Sequence, residues 1–130
     1  EYVNTRSLLD DPARKAEIAR VVSAVLRKCG EHDMVLVVGD GIFPENRLQF
    51  DALEAKYGRS KAALCQTIND GLAEITVRLT KGDAFHGLYA SGGDITVAVT
   101  TRLGPRESPC TPRSSPWRPT ASWQAAKKAA

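Results

Sequence analysis

Apolar positions along the chain fall into two kinds of pattern, and the alternation between them lays out the elements. From Ala13 to Lys28, Ile18, Val21, Val22, Val25 and Leu26 recur at helical spacing, with Arg14, Lys15, Glu17, Arg20 and Arg27 on the other side. That spacing predicts a core-facing helix. Pro12 suits its first turn, Asp10 or Asp11 its N-cap, and Gly30 its end. Met34 to Val38 is instead a continuous apolar, β-branched run between charged and glycine residues, the pattern of a parallel strand buried on both faces. Glu1 to Asn4 reads as the end of another strand. Phe50, Leu53 and Tyr57 at 3-4 spacing predict a short helix over Leu48 to Tyr57. After Gly58, Ser60 caps a longer helix running to Leu79, with Ala63, Leu64, Ile68, Leu72, Ile75 and Leu79 on one side.

A third apolar run, Leu88-Tyr89-Ala90, ends in Ser91, and Gly92-Gly93 then lets the chain reverse. Asp94 follows as a natural N-cap, its carboxylate placed to accept from the amides of Thr96 or Val97. Gly87 to Val99 therefore reads as a buried strand, a glycine turn and a capped helix. Such a turn leaves free N–H groups and the positive end of a helix dipole facing one small volume, where an open α/β sheet binds a phosphate or nucleotide. The same turn also serves as plain connection, since it is neither a Gly-x-Gly-x-x-Gly fingerprint nor a P-loop. The charge of Asp94 repels a phosphate, yet its carboxylate can hold a magnesium ion or a ribose hydroxyl. Gly39-Asp40-Gly41 is a second glycine turn at a strand end. In a doubly wound sheet both turns lie on one edge, where they either line one crevice or form two separate loops. The predicted order is helix, strand, helix, helix, strand, helix. The fold class is α/β, an open, mostly parallel sheet flanked by helices and incomplete at its C-terminal side.

Composition narrows this picture without redirecting it. A chain of 130 residues has room for one modest domain. No stretch approaches the roughly 20 apolar residues of a membrane span, and Glu1 to Asp11 lacks the basic start and apolar run of a leader. The first residue is not methionine, so a fragment of a longer protein is expected. Cys29, Cys65 and Cys110 are widely spaced with no C-x-x-C, and His32 and His86 are the two histidines. This usage suggests free thiols in a reducing, cytoplasmic setting and no metal site among them, with His86 a solvated loop residue. The net charge of +3 is unevenly placed: residues 1–103 carry 13 basic and 14 acidic groups, and residues 104–130 carry 5 and 1. The globular part thus offers no case for nucleic-acid binding.

With those residues in hand, Gly87-Leu-Tyr-Ala-Ser-Gly-Gly-Asp-Ile-Thr-Val-Ala-Val99 resembles the glycine motif of the C-terminal, nucleotide-binding domain of the four-carbon acid sugar kinases. These ATP-dependent enzymes phosphorylate D-threonate, D-erythronate or 3-oxo-tetronate type acids. The resemblance covers about Tyr2 to Leu103, with the Asn4 to Val22 segment, the strand ending at Gly39 and the helix from Ser60 in the family's order. It implies ATP and Mg2+ as cofactors, contacts to ATP from Ser91, Gly92 and Gly93, Thr96 near the helix start, and a magnesium-linked or ribose contact from Asp94. Gly39 and Asp40 fall at the family's other nucleotide-contacting strand end, although Val-Gly-Asp departs from the serine often found there. In the family the acid-sugar site belongs largely to an N-terminal domain not found in this sequence. No catalytic base is therefore assigned, and the chain by itself is expected to have no kinase activity. Two other readings stay open: a stand-alone α/β module that binds a nucleotide or small anion, and a non-functional remnant whose sheet keeps an exposed edge.

Residues 104–130 differ in character from residues 1–103. They hold five of the seven prolines, both tryptophans and four serines, with no helical or strand period, the composition of an unstructured tail. The resembled family has here a segment like Glu-Val-Val-Pro-Leu-Ala-Ala-Tyr-Gly and then a lysine-glycine-glycine loop, neither of which is present as written. Re-reading the codons from Pro105 onward in the next frame permits a string that includes Glu-Val-Val-Pro-Leu-Ala-Ala-Tyr-Gly. Residues 1–103 then form a partial nucleotide-binding domain, and residues 104–130 are out-of-frame translation. The competing reading is a genuine proline-rich interaction tail centred on Ser114-Ser115-Pro116-Trp117-Arg118-Pro119.

Overall fold

The computed structural model describes residues 1–104. Both readings of the tail, and Cys110, lie outside the described residues. The described chain is mostly helical around a small parallel sheet: β1 (Tyr2–Val3), α1 (Asp11–Lys28), β2 (Val38–Gly39), α2 (Phe50–Tyr57), α3 (Lys61–Thr80) and α4 (Gly93–Leu103), joined by short 3-10 turns. β1 and β2 pair in parallel with Tyr2 opposite Val38 and Val3 opposite Gly39, so β1-α1-β2 is one crossover unit.

The helices form where the apolar spacing places them. Ile18, Val21 and Val25 of α1 are fully buried, as are Leu64 and Ile75 of α3, and they meet Val3, Leu8 and Leu53 in the main core. Leu8, from the 3-10 turn Ser7–Leu9, enters between α1 and α3. There a Cβ on Gly71 would lie 3.0 Å from Leu8 Cδ1, which accounts for a glycine inside a helix. Ser60 caps α3 by accepting from the Ala63 amide at 3.3 Å. α1 is capped differently from expectation. Asp10 holds the N-cap position without a side-chain bond to the helix, and its carboxylate accepts instead from the Tyr57 hydroxyl at 2.9 Å, tying α2 to the start of α1. At its other end α1 tightens into the 3-10 turn Cys29–Glu31 rather than stopping at Gly30.

Three expectations are corrected. The run Leu88-Tyr89-Ala90 is not a buried strand. It pairs with nothing among the described residues, and Leu88 and Tyr89 are 51% and 89% exposed. The helices on either side pack on each other directly through Ala73, Ala98 and Val99, so no sheet intervenes there to pair the run. Met34 to Val38 is not buried on both faces. Val35 and Val37 pack on the core, while Met34 and Leu36 are 82% and 68% exposed, because helices cover one side only and just Val38 and Gly39 pair. Finally, Glu17 does not belong to the solvated side of α1.

Glu17 is 8% exposed and anchors the start of the chain. Its Oε1 accepts from the Asn4 amide at 2.7 Å and from Arg20 Nη2 at 2.8 Å, and Oε2 accepts from Arg20 Nε at 2.8 Å. Arg20 Nη2 also donates to the Tyr2 carbonyl at 2.8 Å, so the pair clamps β1 onto α1. The Arg20 hydrogen bonds hold the Glu17 carboxyl below the usual carboxylate range, against the opposing effect of burial. A lowered folded-state pKa contributes stability that is complete above the ordinary carboxylate value and is lost as pH falls through the lowered one. Glu17→Gln is accordingly expected to be less stable at neutral pH and to lose less on acidification than the parent chain. Urea unfolding at a series of pH values checks this, and parallel stability curves for the two proteins would refute it.

Candidate functional site

The N-terminus of α4 is built from a backbone conformation only glycine adopts comfortably. Gly92 has φ +111°, a backbone conformation that L side chains rarely adopt, and a Cβ on it would lie a tight 3.1 Å from Ile95 Cγ2. Gly92 is therefore the N-cap, and α4 begins at Gly93, two residues earlier than an Asp94 cap requires. Asp94 lies inside the first turn and accepts no bond from Thr96 or Val97, which corrects its predicted capping role. The cap carbonyl is held from the other side: the Thr96 amide and hydroxyl both donate to the Gly92 carbonyl, at 3.0 and 2.7 Å.

This geometry leaves the N–H groups of Gly93, Asp94 and Ile95 without an acceptor among the described residues. The Asp94 carboxylate has no hydrogen-bond partner among them either, and it is exposed. These groups open on a cleft of about 340 Å3 between α4 and α3, lined by Gly92, Gly93, Asp94, Ile95, Cys65, Ile68 and Asn69. A second cleft, of about 320 Å3, lies beside it and shares Asp94 with Gln66, Asp70, Thr101 and Arg102. The first cleft combines amide donors, a carboxylate and an apolar wall. That set can receive an anion and an accompanying cation.

Of the residues singled out from the sequence, Gly92, Gly93 and Asp94 come together on the first cleft. Ser91 is exposed just before the Gly92 bend and lines neither cleft, and the Thr96 hydroxyl donates its proton to the Gly92 carbonyl. Gly39 and Asp40 line neither cleft. Both have work within the fold. A Cβ on Gly39 would lie 2.9 Å from Thr5 Cγ2. Asp40 Oδ1 accepts from the Thr5 amide at 3.0 Å and from the Thr5 hydroxyl at 2.7 Å, which closes the end of β2 over the buried Thr5. Cys65, Ile68 and Asn69 were not foreseen as cleft residues, because the helical period marks only the core face of α3. Their position on α3 between Leu64 and Ala73 becomes visible as a cleft wall only once α4 is docked.

No group of three or more histidine, cysteine, aspartate or glutamate side chains is placed to hold a metal ion among the described residues. No helix is long and apolar enough to cross a membrane among the described residues. The chain belongs to the nucleotide-binding C-terminal domain family, whose model matches residues 2–125. The match continues past the described residues through most of the proline-rich segment. No curated protein and no solved structure matches the chain.

The structural load on Asp40 can be measured directly. Asp40→Ala strands the buried Thr5 hydroxyl and amide, and is expected to lower unfolding stability by about 1–3 kcal/mol. Urea denaturation checks it, and an unchanged midpoint would show that the Thr5 bonds contribute nothing.

Proposed function

We propose that this chain is the ATP-binding portion of a kinase that phosphorylates a four-carbon acid sugar of the threonate, erythronate or 3-oxo-tetronate class. Membership of a nucleotide-binding domain family supports the ligand class. The single observation that carries the reading is the trio of uncommitted amides at Gly93, Asp94 and Ile95, open on a cleft. Donors of this kind suit the β- or γ-phosphate, because phosphoryl transfer is served mainly by positioned groups that steady charge on the moving phosphoryl oxygens.

Magnesium fits the same place in a limited sense. Mg2+ keeps several waters and takes one or two carboxylates together with phosphate oxygens. Asp94 is the one carboxylate on the first cleft, so the metal would arrive with the nucleotide rather than occupy a preformed cage. When bound, the ion would neutralise phosphate charge. Asp94 would orient it, the α4 amides would fix the phosphate, and Ser91 and Thr96 would flank the turn. Gly39 and Asp40 are assigned to a second nucleotide contact in this reading, alongside the close approach of Gly39 to Thr5 and the Asp40 bonds to it. The acid-sugar site and the catalytic base belong to a preceding domain, and the setting is cytoplasmic. An out-of-frame origin for residues 104–130 is part of the same reading, and sequencing the gene distinguishes it from a genuine tail.

The test is calorimetric titration of the chain with Mg-ADP. Binding is expected in the parent, and Asp94→Ala is expected to weaken it about tenfold through loss of a charged contact. D-threonate and D-erythronate should not be turned over by the chain alone with ATP. Absence of binding to the parent chain would overturn the ATP reading, and turnover by the chain alone would overturn the need for a preceding domain.

A further inference from the structure

α4 is attached to the rest of the described chain by one kind of contact. Its buried residues Ala98 and Val99, with Ile95 and Leu103 beside them, meet Ala73 of α3 in a cluster separate from the main core, to which α4 contributes no side chain. Its bonded side chains turn back on the helix itself: the Thr96 hydroxyl donates to the Gly92 carbonyl at 2.7 Å, and the Thr100 hydroxyl to the Thr96 carbonyl at 2.8 Å. Among the described residues, no hydrogen bond or ion pair joins α4 to another element. α1 is held differently. Arg14 pairs with Glu74 of α3 at 3.5 Å and donates to the Thr67 carbonyl at 3.4 Å, while Arg20 reaches the Tyr2 carbonyl of β1.

The connection into α4 adds no restraint. Phe85 packs on the main core, but His86 to Ser91 make no hydrogen bond with another described residue, and all of them except the half-buried Ala90 are exposed. A segment with few buried apolar contacts and no polar ties opens before the fold as a whole does. α4 has 11 residues, too few to persist as a helix once its apolar face meets water.

We propose that α4 undocks from α3 and unwinds as one unit while α1, α2 and α3 keep their core, with Phe85 staying in place and residues 86–91 serving as the hinge. Both clefts have one wall on α3 and the other on Gly92 and α4, so this motion assembles and dismantles them. α4 is thus a gate on the site, whatever the site holds, and the inference stands apart from the nucleotide reading.

Native-state hydrogen exchange of the full chain, followed at the hydrogen-bonded amides of α1 and α4, tests this on the parent, Ile18→Val and Val99→Ala. In the parent, the α4 amides are expected to exchange through one common opening, about tenfold or more as frequent as the opening that exposes α1. Ile18 is buried in the main core and Val99 in the α3–α4 cluster. Ile18→Val weakens the core in the docked and undocked states alike, so it is expected to speed α1 exchange about fivefold and leave α4 exchange unchanged. Val99→Ala weakens the docked state relative to the undocked one, so it is expected to speed α4 exchange about tenfold. If Ile18→Val speeds α4 as much as α1, α4 opens only with the whole fold and the proposal is overturned. If Val99→Ala leaves α4 exchange unchanged, its amides exchange by fraying in place, and undocking is overturned as well.

Discussion

The structure depends on α3 burying two of its sides at once. One side carries Leu64, Ile68, Ile75 and Leu79 into the main core with α1, α2 and the loop before β2; the other carries Ala73 against Ala98 and Val99 of α4. Leucine and isoleucine fill the wide space between α1 and α3, whereas alanine lets α4 approach closely. The glycine turn before α4 is fixed by this second contact. α4 docks on α3, and Gly92 to Ile95 share one cleft with the α3 residues at positions 65, 68 and 69.

A second constraint holds the other end of the molecule. Glu17 is buried and pairs with the exposed Arg20, and the two bind the backbone and side chains around β1. Burying the Glu17 carboxylate is costly, and its bonds to Arg20 and the Asn4 amide offset that cost while fixing one arrangement of strand against helix. Asp40 acts similarly at the end of β2 through Thr5. Two short strands are thereby held in register although they pair over only two residues each. The cleft and these polar clamps lie on separate parts of the described chain, which is why the glycine turn after β2 is absorbed by the fold while the turn before α4 is not.

The helices were legible because their signal is periodic: Ile18, Val21 and Val25, and Leu64, Ile68, Ile75 and Leu79, repeat often enough to define a face. The strands were read only in part. A run such as Leu88-Tyr89-Ala90 has no internal period that separates strand from loop, and the outcome was decided by α3 and α4 meeting directly, a long-range fact that three apolar letters do not carry. Glu17 was misplaced for a related reason: its burial comes from Arg20 and the Asn4 amide, not from its own polarity. In the site, the glycine pair at 92–93 was visible as a turn, but the cap moved to Gly92 because a φ of +111° is a property of the built backbone. Asn69 carried no motif at all and becomes a cleft residue only through the docking of α4.

Backbone amide chemical shifts of the isotope-labelled chain during titration with Mg-ADP test the central claim most directly. Occupation of the open N–H groups predicts the largest changes at Gly93, Asp94 and Ile95, saturating with ligand. Saturable changes confined to Gly39–Ile42, or no change at the start of α4, would contradict it.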